Sequence, residues 1–117
     1  MSRNKIVYAT YRDGLRAFNE EIKRVIAPVF VKIDLKRHMS KEFNIEGSIN
    51  EKGRIADLRY VNTFDDKASS TLLLSLYHLP FMEPTLLNGK PVKSGINFKF
   101  TFKDAMYFTS WKILPLK

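Results

Sequence analysis

Residues 96–102, Ile-Asn-Phe-Lys-Phe-Thr-Phe, alternate apolar and polar without a break. Side chains of a β-strand point to opposite faces in turn. This run therefore sets Ile and three Phe on one face, and Asn, Lys and Thr on the other. A strand of this kind needs neighbouring strands to pair with and an apolar layer over its Phe face. The rest of the chain must supply both.

Residues 43–50 alternate again, with Phe43, Ile45 and Ile49 on one face. Gly47 shares that face, which predicts close approach of a neighbour there. Residues 51–54, Glu-Lys-Gly-Arg, form a turn, and residues 55–61 return as the second arm of a hairpin. The covering layer comes from two helices. The first is predicted over residues 11–26, where Leu15, Phe18, Ile22, Val25 and Ile26 share a face, with Thr10 and Asp13 as a capping pattern and Pro28 as the stop. The second follows Thr63, Asp65 and Asp66, which are candidate caps. It carries Ala68, Leu72, Leu76 and Leu79 on one face, widened by Leu73 and ended by Pro80. Residues 29–36 alternate and predict a further strand, with Val29, Val31, Ile33 and Leu35 on one face. Residues 106–114 add a last strand or a docked tail. Helices packed on one face of an antiparallel sheet make an α+β two-layer sandwich, with three to five strands and two helices on the same side. At 117 residues this is one domain, spanning 1–117, with a core over 11–102 and a C-terminal extension over 103–117.

The composition fits a globular domain: 44% hydrophobic, 13% aromatic, nine Phe, and five each of Pro and Gly. The absence of cysteine excludes a disulfide framework, a thiol nucleophile and a thiolate metal site. The net charge of +8 favours nucleic acid, anionic lipid or an acidic partner, yet the cations are spread along the chain rather than gathered in an arm. The longest apolar run, Leu72-Leu73-Leu74, is far short of a membrane span, and the first ten residues lack the apolar stretch of a signal peptide. The chain either works where it is made or is a fragment without its targeting segment.

No catalytic constellation stands out. His78 lies near the end of the second helix, where the helix dipole favours it, and His38 sits in a basic loop. Two isolated histidines make a poor zinc site. Asp65-Asp66 caps a helix better than it forms a catalytic pair. Ser69, Ser70 and Thr71 lack a nucleophile elbow, and no glycine-rich phosphate loop occurs. No catalytic residue, cofactor site or metal site is assigned. Phe98, Phe100 and Phe102, interleaved with Lys99 and Lys103, loosely imitate an RNA-stacking strand, but three Phe on the apolar side of a half-buried strand are core, and the glycines of the RNA-binding pattern are absent. What remains is the backbone of a strand edge, which can accept an incoming peptide.

The connection between the second helix and the alternating strand is distinctive. Leu79-Pro80-Phe81-Met82-Glu83-Pro84 is followed by Asn88-Gly89-Lys90-Pro91-Val92. With the helix opening Gly14-Leu15-Arg16-Ala17-Phe18, the pair Ala27-Pro28 and the hairpin segment Gly53-Arg54-Ile55-Ala56-Asp57-Leu58, residues 14–102 resemble the C-terminal domain of the TonB energy-transducer family, in its Bacteroidetes-like form. Met82 stands where that family usually carries Trp, and Ala27 where it carries Tyr. The physical reading agrees: the prolines stop the helix and stiffen the connection, and the Asn-Gly turn aims the last strand into the sheet.

The resemblance implies a non-enzymatic periplasmic domain of an inner-membrane-anchored protein. Such a domain binds the TonB-box peptide of an outer-membrane transporter by strand addition, and passes on force from a proton-driven complex. The expected site is the exposed edge of Ile96, Asn97, Phe98, Lys99, Phe100, Thr101 and Phe102, with Pro28 nearby and Asn97, Lys99 and Thr101 tuning the choice of peptide. An open edge also permits a homodimer. No small-molecule substrate is expected. The alternative is a free-standing basic module for nucleic acid or an acidic protein partner.

Overall fold

The computed structural model describes residues 4–32, 41–61, 67–103 and 106–116. Its elements run β1 (Ile6–Val7), α1 (Leu15–Lys32), β2 (Lys41–Ile49), β3 (Ile55–Tyr60), α2 (Lys67–Ser75) with a 3-10 turn (Leu76–His78), β4 (Thr85–Leu87), β5 (Lys90–Val92), β6 (Ser94–Lys103) and β7 (Met106–Ile113). Two antiparallel sheets form, of order β3-β2-β6-β7 and β1-β4-β5. The fold is α+β, with helices against sheet, as expected. The small second sheet is an addition.

Helix α1 departs from expectation at both ends. Gly14, at φ +97, accepts the first helical bond from the Phe18 N–H, so the helix starts at Leu15 rather than at residue 11. Thr10 does not cap it; its backbone is paired instead with Glu83. Pro28 does not stop it. The helix runs on to Lys32, so residues 29–32 are helical and not part of a strand, while 33–36 lie outside the described residues. Phe18, Ile22, Val25, Ile26 and Val29 form one continuous buried stripe, and burial of Val29 outweighs the lost Pro28 donor. Pro28 is on the exposed side, where water can reach the Arg24 carbonyl left without its usual partner.

The β2–β3 hairpin forms as expected. Asn50 Oδ1 accepts bonds from the N–H groups of Lys52 and Arg54, both at 2.9 Å. Gly53 sits at φ +86, and a Cβ there would lie 1.7 Å from the Met82 carbonyl oxygen. The proline-rich connection thus passes directly against the hairpin turn, where the Met82 N–H donates to the Gly53 carbonyl at 2.8 Å. Gly47 meets the predicted close approach: a Cβ would fall 2.6 Å from Leu58 Cδ2. Opposite it the register shifts, and Asp57 takes φ 54, a bulge with its extra residue in the left-handed region.

Helix α2 buries Leu72, its 3-10 turn buries Leu76, and Leu79, buried too, caps the turn in extended conformation before Pro80. Its proposed caps Thr63, Asp65 and Asp66, and also His38, lie outside the described residues. The Asn88-Gly89 turn has positive φ at both residues, 53 and 82, the signature of a tight two-residue hairpin. It joins β4 to β5 in the small sheet; it does not aim the last strand, which corrects the expectation above. The core holds Phe18, Phe43, Ile45, Ile49, Leu72, Leu76, Ile96, Phe98 and Phe100, all under 2% exposed.

Candidate functional site

The expected peptide site is not an edge. Strand β6 pairs with β2 along residues 94–102 on one side and with β7 along residues 96–103 on the other. Ile96, Phe98 and Phe100 are fully buried core residues, as their alternation indicated. Asn97 is buried, and its Nδ2 donates to Asn44 Oδ1 at 2.6 Å. Lys99 is exposed, 3.8 Å from Glu42 Oε1, and Thr101 is half-buried. Phe102 pairs through its backbone with Lys41 and Tyr107, and its side chain lies outside the described residues. Pro28 is on α1, not on the sheet. A strand with both ladders occupied has no backbone groups to offer, so the site moves to the true edges.

Among the described residues the large sheet ends at β3 and β7. The β3 edge is defended. The Asp57 bulge breaks its register, Asp57 and Arg59 put charges on it, and the Leu58 N–H already donates to the Tyr77 hydroxyl at 2.9 Å. In the small sheet, β5 is also blocked. Leu87 and Lys90 flank the two-residue turn and exchange hydrogen bonds, so by alternation the next residue, Pro91, turns its nitrogen outward. Pro91 has no N–H to offer an incoming strand. Strand β1 is two residues long.

Strand β7 has none of these defences. It runs eight residues in unbroken register and carries one charge, Lys112. The Leu114 N–H donates to the Gly95 carbonyl at 2.9 Å, which fixes the alternation. Residues 108, 110 and 112 turn their backbone groups toward β6. Tyr107, Thr109, Trp111 and Ile113 turn theirs outward. Trp111 holds the strand against α1: its ring meets Phe18 edge-on at 4.7 Å, and its Nε1 donates to Asn19 Oδ1 at 2.7 Å. Beside it, Leu15, Asn19, Thr109, Ser110 and Trp111 line a depression of about 370 Å³. A strand added here would set every second side chain into that depression.

A larger depression, about 750 Å³, lies on the sheet face away from the helices, lined by Glu46, Ser48, Asp57, Arg59, Lys93 and the tail at residues 114–116. Its charges neutralise one another: Lys93 lies 3.4 Å from Asp57, and Arg59 lies 3.5 Å from Glu46. The Ser48 hydroxyl bonds Asp57 Oδ2 at 3.0 Å, and this bond, then Lys93, holds the Asp57 carboxyl below its ordinary pKa. Among the described residues no histidine lines the depression, so none of them stands beside Ser48 as the base of a nucleophilic serine. Among the described residues no group of three or more His, Asp or Glu could hold a metal ion. His78 ends the 3-10 turn and is exposed.

No family model, curated protein or solved structure matches the chain. Sequence reasoning missed β7 as the edge because each of its faces mixes aromatic and polar residues, Phe108 with Ser110 and Lys112 on one and Trp111 with Thr109 on the other, which blurs the alternation.

Proposed function

We propose that this chain is a non-enzymatic binding domain that captures an extended peptide by strand addition along the outer edge of β7. One observation carries the reading: Tyr107, Thr109, Trp111 and Ile113 direct backbone N–H and C=O groups away from the sheet, on an edge without bulge, proline or dense charge. Those groups supply affinity. The depression beside Leu15 and Trp111 supplies choice among side chains.

The resemblance to TonB C-terminal domains names the peptide as the TonB box of an outer-membrane transporter. It also implies a periplasmic setting and force drawn from a proton-driven inner-membrane complex. The element order of helix, hairpin, helix and strand supports that reading. Among the described residues no helix is long and apolar enough to cross a membrane. A nucleic-acid role is less well supported, because Lys93, Arg59 and Lys99 on the open face are each paired with a carboxylate.

Trp111 is the chain's single tryptophan, so its fluorescence reports on this edge. Titration with a TonB-box peptide should shift the emission saturably and move the amide resonances of residues 106–113. Thr109→Pro removes one outward donor while leaving the β6 ladder intact, and should weaken binding at least tenfold. A folded Thr109→Pro variant that binds as tightly as wild type would sink the assignment.

A further inference from the structure

The geometry points to self-association of two copies through β7, about a twofold axis passing Ser110. Antiparallel residues that exchange both hydrogen bonds must both face outward, so only Tyr107, Thr109, Trp111 and Ile113 can meet in such pairs. An axis at Ser110 brings Thr109 against Trp111 of the second copy and Tyr107 against Ile113, each twice, for four hydrogen-bonded pairs. An axis at Thr109 or at Trp111 leaves three, and larger shifts leave fewer.

The same register sorts the side chains. On the open face Phe108 falls beside Lys112 of the second copy, and Ser110 beside Ser110. Phe108 is 54% exposed and Lys112 carries the only charge on β7, so an aromatic ring and a cation come together. An axis at Lys112 would instead set two like charges opposite each other. On the helix face Leu15, 60% exposed, lines the depression with Thr109 and Trp111, where the second copy's strand would cover it. One eight-residue segment supplies both halves of each contact. That self-complementarity favours a second copy as the occupant, in a symmetric interface. The self-association rests on the edge geometry alone. Combined with the peptide reading, it makes a second copy a competitor for the peptide.

The chain has no cysteine, so single cysteines report cleanly. Ser110 faces its own mate in a non-hydrogen-bonded pair, with Cα atoms about 4.5 Å apart, within disulfide reach. Under mild oxidation Ser110→Cys should give covalent dimer in at least tenfold higher yield than Phe108→Cys or Lys112→Cys alone. A mixture of those two should cross-link to each other. Wild type should sediment with a concentration-dependent mass, and folded Thr109→Pro as a monomer; where Thr109→Pro does not fold, the cysteine set decides. Wild type that stays monomeric at every concentration, or equal cross-linking at the three positions, overturns the inference. TonB-box peptide titrated into dilute, monomeric wild type separates the two claims. Binding without self-association removes only the dimer, and self-association without binding removes only the peptide.

Discussion

Gly53 and Gly89 share nearly the same backbone, φ +86 and +82, but not the same surroundings. Alanine at residue 89 would meet nothing within 4 Å and bears only the cost of left-handed backbone, about 1 kcal/mol. Alanine at residue 53 would also collide with the Met82 carbonyl, and should cost roughly 2 kcal/mol or more. Urea melts of Gly53→Ala and Gly89→Ala measure the difference, and equal costs would show that the connection can move aside. Asp57 carries a pH signature. Its carboxyl is held below the ordinary 3.8 by the Ser48 bond, then by Lys93. A depressed carboxylate stabilises the fold above its unfolded pKa and loses that contribution as pH falls through the lower folded value. Asp57→Asn, which tolerates the same positive φ, should therefore flatten stability against pH below about pH 4. Its stability should draw level with wild type at still lower pH.

Proline scanning tests β7 at the scale of the element. Ser110 directs its N–H inward to β6 and Thr109 directs its own outward. Ser110→Pro should lose about 2 kcal/mol through a broken ladder bond and a stranded carbonyl. Thr109→Pro should lose clearly less, as proline on the solvent side of an edge strand does. The reverse order in thermal melts would mean that the alternation along β7 is misassigned. On β6 the Phe98 and Phe100 rings lie 6.3 Å apart and nearly parallel beneath the helices. Phe98→Ala should cost about 3–5 kcal/mol, since the surrounding core can collapse only in part.

At the scale of the whole molecule, the first residues serve as a strap. Lys5, Ile6, Val7 and Thr10 pair in one register with Asn88, Leu87, Leu86 and Glu83. Between them the Ala9 N–H donates to the buried Thr85 hydroxyl at 2.9 Å, which in turn bonds Ser94 Oγ at the start of β6. Removing residues 1–10 should destabilise the domain by on the order of 3 kcal/mol, a few net backbone bonds and one buried polar group left short of a partner. Calorimetry of the shortened chain checks it. An unchanged transition would show that the small sheet holds without β1.

Much of this could be read locally. The β2–β3 hairpin, the buried faces of β2 and β6, the stripe of α1 and the stop at Pro80 follow from periods of two and 3.6 and from proline geometry. Those signals belong to one segment at a time. Three outcomes belong to none. Pro28 lies within a helix because Val29 finds a core to enter. The Asn-Gly turn closes a separate small sheet because β1, some eighty residues away, pairs with β4. Strand β6 is central and β7 is the edge because residues 106–113 fold back on it. A strand with one solvated face alternates in the same way whether it has one neighbour or two. Sequence period therefore marked the apolar faces that the core buries, and hydrogen bonding between distant segments decided which backbone was left to meet a partner.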